Sequence, residues 1–202
     1  GAIAEELSDL PEDAAKNIKE DANTVTYRLD RLGIPLLEIS TTPDIITPEH
    51  CKEVAEAIGM LLRSTGKSKR GLGTIRQDVN VSIKGGTRVE IKGAQDLRAL
   101  PKVVATEALR QKKLLEIKEE LTKRKIKEIP INIVDVTQIM KHSGSKIIAQ
   151  TITKGGVVFS IILPGFAGII GTEIQSGKRL GTEFSERAKV IACVGGIFHS
   201  DE

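Results

Sequence analysis

Hydrophobic and polar residues alternate with a period of two along residues 75–92, and Lys84-Gly85-Gly86 interrupts the alternation once. The apolar positions are Ile75, Val79, Val81, Ile83, Val89 and Ile91. The polar positions between them are Arg76, Asp78, Asn80, Ser82, Arg88, Glu90 and Lys92. Because successive side chains of a β-strand point to opposite faces, this pattern predicts a β-hairpin with a glycine turn.

The length of the turn decides which residues pair. A two-residue Gly85-Gly86 loop would place polar Asn80 opposite apolar Ile91 and mix the two faces. A three-residue loop, residues 84–86, keeps partners of like kind on one face, as cross-strand pairing requires. The pairs that it predicts are Val79–Ile91, Val81–Val89, Asp78–Lys92, Asn80–Glu90 and Ser82–Arg88.

One side of the predicted hairpin, the polar face, consists of Arg76, Asp78, Asn80, Arg88, Glu90 and Lys92. Two interpretations of this face remain open from the residues alone. It is either the solvated side of a sheet with cross-strand ion pairs, or a site for phosphate and Mg²⁺. Carboxylate and amide oxygens are ligands that Mg²⁺ prefers, and Arg and Lys neutralise phosphate oxygens.

The remaining pattern predicts four helices. Thr47 can cap a helix that begins at Pro48, and Gly66 suits its C-terminal cap. An apolar stripe at helical spacing runs between them, from Cys51 to Leu62. The other helices are predicted from Pro101 to about Glu120, from Ser145 to Lys154 and near Thr182–Val194. In the helix that begins at Pro101, we expect Val104, Ala108, Leu114 and Leu115 on the core side and Lys102, Arg110, Lys112 and Lys113 on the solvent side.

Short apolar runs bounded by Gly and Pro predict the other strands. Residues 1–22 carry no clear core stripe, and we expect them to be poorly anchored. The predicted strands are Thr24–Asp30, Leu36–Ser40, Ile131–Val136, Val157–Leu163, one near Gly168–Gly171, and Ile197–His199.

A change of composition at residues 121–130 predicts a linker between two domains. The fold class is therefore α/β in the broad sense, more closely α+β. Residues 1–120 are expected to form part of a mixed-sheet domain that carries the hairpin, and residues 131–202 a small two-layer α/β domain. The chain opens without Met and ends abruptly, which suggests a piece of a longer protein.

Composition excludes several classes of protein. The chain is 40% hydrophobic and 28% charged, as in a soluble globular protein, and no apolar run has the length of a membrane helix. We expect no secretory signal at its start, and one Tyr and four Phe are too few for a sheet that stacks RNA bases. We expect Cys51 and Cys193 to be buried free thiols in a reducing cytoplasm. The net charge of +3 is the sum of −1 in residues 1–120 and +4 in residues 121–202. A mildly basic region permits contact with a polyanion.

Three long motifs closely resemble the GatB/GatE family of tRNA-dependent amidotransferases. The segment before the hairpin, residues 64–76, is similar to the archaeal GatE branch of that family. Motifs of the second half resemble the GAD insertion domain, which the GatE branch shares with bacterial-type aspartyl-tRNA synthetases. The family motifs are residues 27–40, 76–82 and 88–92, and the GAD-like motifs are residues 145–148, 154–156, 163–166, 181–183 and 195–199.

The resemblance implies a function for the longer protein. Proteins of the GatE branch would phosphorylate the side-chain carboxylate of glutamate on Glu-tRNA(Gln) with ATP and Mg²⁺. Ammonia released by an amidase-like partner, the D subunit, would then displace phosphate, which makes the protein a carbon–nitrogen ligase of translation. The implied setting is the cytoplasm and a hetero-oligomer without membrane contact. The alternative is a non-catalytic module that docks tRNA or the partner.

The resemblance also assigns residues. Asp78, Asn80, Glu90 and Lys92 fall on catalytic motifs of the family, and Arg76, Arg88 and Lys92 are expected to contact the nucleotide. Metal ligands are expected at Glu38, Glu12 and Asp78, with Pro11 standing where the family has another Glu. The first part of the catalytic domain would precede Gly1 and a tRNA-binding tail would follow Glu202, so residues 1–202 alone are expected to be inactive.

Overall fold

The chain divides into two units, residues 1–65 and 66–202, in a computed structural model that describes residues 3–4, 11–71 and 73–201. Within its described residues, the first unit contains four short strands and one helix. These elements are β1 (Ile3–Ala4), β2 (Lys16–Asp21), β3 (Thr24–Arg28), β4 (Ser40–Thr41) and α1 (Pro48–Ser64).

The second unit carries the predicted hairpin and three helices. Its elements are β5 (Val79–Val81), β6 (Val89–Ile91), α2 (Leu100–Lys123), β7 (Ile133–Asp135), a 3₁₀ turn (Ile139–His142), α3 (Lys146–Thr153), β8 (Phe159–Ile161), β9 (Glu173–Gln175), β10 (Lys178–Arg179) and α4 (Leu180–Ala192). The strand pairs β1–β4, β2–β3, β5–β6, β7–β8 and β9–β10 are all antiparallel. Helices together with antiparallel strand pairs confirm the α+β class.

The four predicted helices are confirmed, two of them by their capping residues. The backbone N–H of His50 donates to Thr47 Oγ1 at 3.1 Å at the start of α1. Gly66 follows the helix with a φ of +68°, the conformation that ends many helices. The N–H of Ile148 likewise donates to Ser145 Oγ ahead of α3. Local chemistry therefore sets these helix ends.

The predicted register of the hairpin is confirmed. Val79 pairs with Ile91, Asn80 with Glu90, and Val81 with Val89. The pairing stops there, so the expected Ser82–Arg88 and Asp78–Lys92 pairs lie beyond the two ends of the ladder. The turn is closed by a hydrogen bond from the Gly86 N–H to the Ile83 carbonyl, and Gly85 adopts a φ of +83°, which glycine tolerates best.

The core of the second unit lies between α2 and the segment that follows β8. Its buried residues are Phe166, Ile169, Ile174 and Leu180. Partly buried residues from the C-terminal half of α2 and the chain after it pack on them, namely Leu114, Ile117, Leu121 and Ile126. The Arg124 guanidinium also donates to the Gly165 and Ala167 carbonyls. Residues on both sides of the predicted linker thus share one core, while the predicted domain limits stay a prediction.

Three strand predictions are wrong. Residues 168–171 form successive turns, in which the Thr172 N–H donates to the Ile169 carbonyl, and the strand begins only at Glu173. Residues 197–199 are irregular, because the Ile197 N–H donates to the Ser185 hydroxyl rather than to a strand. Of Leu36–Ser40, only Ser40 lies in a strand.

Two further expectations need correction. Strand β2 lies within the stretch expected to be poorly anchored, and it pairs with β3 although its side chains are exposed. Strand β2 is stabilised by backbone hydrogen bonds to β3, and such bonds produce no pattern of hydrophobic residues in the sequence. Cys51 is buried as expected, whereas Cys193, the residue that caps the C-terminus of α4, is exposed.

No helix in the described ranges is both long enough and apolar enough to span a membrane.

Candidate functional site

The polar face of the β5–β6 hairpin gathers three charged side chains. The Lys92 ammonium lies 3.4 Å from Glu90 Oε1 and 3.9 Å from Asp78 Oδ2. Asp78 Oδ1 also accepts a hydrogen bond of 3.1 Å from the Gly93 N–H. Asn80 pairs with Glu90 across the strands and is exposed. One lysine therefore partly balances two solvent-accessible carboxylates on a single face.

The two arginines of the polar face lie at its edges. Arg76 precedes β5 by three residues and Arg88 directly precedes β6, and both are exposed. They bring positive charge to a hairpin that carries two carboxylates. Such a mixture of cations and acidic oxygens is suited to a phosphate group with an associated divalent cation.

The opposite face of the hairpin is anchored to α2. Val81 is buried, with 6% of its surface exposed. The Gln111 amide donates to the Val81 carbonyl at 3.0 Å and accepts from the Ile83 N–H at 3.2 Å. The alternation in the sequence thus separates a packed side from a solvent-facing side, and the candidate chemistry lies on the latter.

The remaining predicted ligands belong to the first unit. Glu12 is exposed and forms an isolated antiparallel bridge with Pro35. Glu38 is exposed, in an irregular segment. The assignment of Glu12, Glu38 and Asp78 to a metal stays a prediction.

Asp13, next to Glu12, has a structural role that the sequence reasoning missed. Its side chain is nearly buried, and its Oδ2 lies 2.7 Å from Arg31 Nε. Its backbone N–H donates to the Ile34 carbonyl, and its own carbonyl accepts from the Gly33 N–H. Asp13 therefore holds the turn at residues 31–34.

A fit for Mg²⁺ can be tested on the polar face. Within residues 11–71 and 73–201, no three His, Cys, Asp or Glu side chains are grouped as metal ligands. However, Mg²⁺ is commonly bound by one or two carboxylates together with substrate phosphates. Asp78 and Glu90 fit that mode, in which the metal arrives with a nucleotide, and they do not form an all-protein cage.

Behind the hairpin lies a buried ion network that sequence reasoning also missed. Arg110 was expected on the solvent side of α2, but its side chain is only 12% exposed. It donates two hydrogen bonds to Glu107, at 2.8 and 3.0 Å, and two to Glu183 of α4, at 2.9 and 3.0 Å. The expectation is wrong because a carboxylate 73 residues away along the chain meets this face of α2.

Hydrogen bonds and charge pairing together have a larger effect than burial on the pKa of Glu107 in this network. Burial raises the pKa of the Glu107 carboxyl, but hydrogen bonds from Arg110 and Gln111 more than offset it, so the pKa lies below its ordinary value. The bonds to Glu107 also raise the pKa of Arg110. The only sequence signal was the spacing of Glu107 with Arg110 and of Glu183 with Arg187, which is equally typical of exposed helices.

Two sequence models of known domains match the chain. The model of the GatB/GatE catalytic domain matches residues 5–174, and that of the GAD domain matches residues 148–202. The GatB/GatE match therefore includes the hairpin and α2, and the GAD match includes α4.

Curated relatives are similar over nearly the whole chain. The glutamyl-tRNA(Gln) amidotransferase E subunit of Methanocaldococcus jannaschii is 58% identical over 194 residues, which is 96% of this chain and 31% of that protein. The protein of the same name in Pyrococcus abyssi is 57% identical over 204 residues, 100% of this chain and 32% of that protein. The chain thus spans about a third of the length of these relatives, and it belongs to the GatB/GatE catalytic domain family.

Proposed function

We propose that this chain is part of a protein that amidates glutamate on Glu-tRNA(Gln), and that the polar face of the β5–β6 hairpin supports its phosphoryl-transfer step. The observation that carries the proposal is the meeting of Asp78, Glu90 and Lys92 on one accessible face. The family membership and the names of the relatives supply the reaction class.

The chemistry needs an activated carboxylate. A glutamyl carboxylate is a poor electrophile toward ammonia, and ATP with Mg²⁺ supplies the phosphoryl group that gives it a leaving group. An oxygen of the carboxylate bonds to the terminal phosphorus and ADP departs. Ammonia then bonds to the carbonyl carbon, phosphate departs and a proton is lost, which leaves the amide of Gln-tRNA(Gln).

The residues of this chain would serve that step by charge. Asp78 and Glu90 would hold the metal side of the nucleotide, and Asn80 would add an amide oxygen. Lys92, Arg76 and Arg88 would neutralise phosphate oxygens, because spreading negative charge is the main requirement in phosphoryl transfer. Residues 1–202 alone would lack sustained activity, and a partner, the amidase-like D subunit, would supply ammonia.

The decisive experiment measures Mg²⁺-dependent ATP hydrolysis by the full-length protein with its partner, in the presence and absence of Glu-tRNA(Gln). Asp78→Asn keeps the size of the side chain and removes its charge. We expect the tRNA-stimulated rate to fall about 100-fold or more, with tRNA binding retained. Asp135→Asn is the matched control, since Asp135 is also exposed and also accepts one backbone N–H, from Thr137 at 2.8 Å.

Normal hydrolysis by Asp78→Asn and by Glu90→Gln would refute the proposal for the polar face. The alternative, a docking module for tRNA or partner, predicts that outcome. It also predicts tRNA binding that depends on Lys and Arg residues and weakens steeply with salt.

A further inference from the structure

The inner side of the hairpin is held by one buried amide. Gln111 is 3% exposed, and its Nε2 donates both to the Val81 carbonyl and to Glu107 Oε1, at 3.0 and 2.9 Å. Its Oε1 accepts from the Ile83 N–H. Both hydrogens of the amide and its oxygen are therefore engaged, and two of the three contacts are with the backbone of one strand edge.

The location of these bonds matters for the polar face. The ladder between β5 and β6 ends at Val81 and Val89, so the backbone beyond Val81 has no strand partner in this pair. The Gln111 carboxamide presents a donor and an acceptor to that backbone, as a peptide group would. Gly86 leaves room for it, because a Cβ at that position would collide with Gln111 Oε1.

The contacts continue from Gln111 to α4. Glu107 Oε1 accepts from both Gln111 and Arg110, and Arg110 donates to both oxygens of Glu183. Arg187 also donates to Glu183 Oε1, at 3.0 Å. An unbroken series of hydrogen bonds thus joins the hairpin backbone, through α2, to a helix within the GAD match.

We propose that Gln111 is a positioning residue for phosphoryl transfer, which fixes the polar face of the hairpin and couples its position to α4 through Glu107, Arg110 and Glu183. This inference rests on the proposed function of the polar face. Gln111 touches no reacting group and acts through the backbone of Val81 and Ile83.

The test uses the full-length protein with its partner and follows the KM for MgATP. Loss of folded protein lowers the apparent kcat but leaves the KM unchanged. A residue that affects only the stability of the fold therefore does not change the KM for MgATP. Gln111→Met keeps the length of the side chain and removes its hydrogen bonds. We expect its KM for MgATP to rise about tenfold or more, since small displacements of a site cost that much.

Arg124→Met is the matched control. It also removes side-chain hydrogen bonds to backbone carbonyls, those of Gly165 and Ala167, but away from the hairpin. We expect its KM for MgATP to equal that of the wild type. A wild-type KM in folded Gln111→Met would overturn the positioning role.

The coupling to α4 has its own test, which also applies if Gln111→Met does not fold. Glu183→Gln leaves the bonds between Gln111 and the hairpin in place, and we expect a smaller rise in the same KM. An unchanged KM in Glu183→Gln would overturn the coupling. Where Gln111→Met folds, we expect the double variant to have the KM of Gln111→Met alone, because groups that act in series are not additive. Additive effects would also overturn the coupling.

Failure of the inference differs from failure of the proposed function. If Asp78→Asn abolishes hydrolysis and Gln111→Met keeps the wild-type KM, only the positioning role is wrong. If Asp78→Asn and Glu90→Gln hydrolyse ATP normally, the polar face is not the site, and the positioning role is overturned with it.

Discussion

Removing Arg110 should cost much of the stability of the second unit. The guanidinium makes four hydrogen bonds to two carboxylates, and the side chains of Glu107 and Glu183 are each only 10% exposed. Breaking a buried ion pair on one side costs about 3–5 kcal/mol, because the remaining charge is left without compensation.

The local contacts place the cost at the lower end of that range. In Arg110→Met, Arg187 still contacts Glu183 and Gln111 still donates to Glu107. We therefore expect the free energy of unfolding to fall by about 3 kcal/mol at pH 7. Lys52→Met is the control, since the exposed pair of Lys52 with Glu56 should contribute less than about 0.5 kcal/mol.

The contribution of Glu107 to the free energy of unfolding depends on pH. The pKa of Glu107 is lowered in the folded protein, so its ionised form stabilises the wild type above the ordinary carboxyl pKa. That contribution is lost as the pH falls below about 4.3. Without Arg110, burial would instead favour the protonated carboxyl, so protonation of Glu107 would stabilise the folded variant as the pH falls.

Urea unfolding of wild type and Arg110→Met at several values between pH 7 and pH 3 measures both effects. We expect the difference in unfolding free energy to narrow as the pH falls. A difference below about 1 kcal/mol at pH 7, or one that does not change with pH, would show that the network does not hold the charges as described.

Two further predictions concern packing and capping. Ile174→Ala should lower the free energy of unfolding by about 2–5 kcal/mol, because Ile174 is fully buried. Ile191→Ala, at an exposed site of α4, should change it by less than about 0.5 kcal/mol. Equal effects of the two variants in chemical unfolding would contradict the assigned core. Thr47→Ala should lower the stability of the protein by about 1 kcal/mol, because the α1 cap is lost, and Thr47→Ser should keep the wild-type stability. Thermal unfolding measures both variants. A Thr47→Ala variant as stable as the wild type would mean that the cap contributes nothing.

The predictions that succeeded depend on residues close together in the chain. The hairpin register followed from the alternation and from a three-residue turn, residues 84–86, since a two-residue turn would have mixed the two faces. The bounds of α1 followed from Thr47, Pro48 and Gly66, which act on the backbone groups beside them.

The predictions that failed depend on structure that the pattern of apolar and polar side chains does not show. Strand β2 is held by backbone pairing with β3, and its exposed side chains carry no alternation. Residues 168–171 are mostly apolar, but they enter the core from turns rather than from a strand. In neither case does the pattern of apolar and polar residues identify the backbone hydrogen bonds that set the local structure.

The hairpin, the gathering of Asp78, Glu90 and Lys92 on one face, and the family all follow from the amino-acid sequence, because they depend on spacing and on the chemistry of neighbouring residues. Only the folded chain shows that Arg110 is buried between two carboxylates and that Gln111 forms hydrogen bonds to the hairpin backbone. A charged residue on a helix is equally compatible with solvent and with a buried partner, and only the tertiary fold brings Glu183 of α4 to Arg110 of α2.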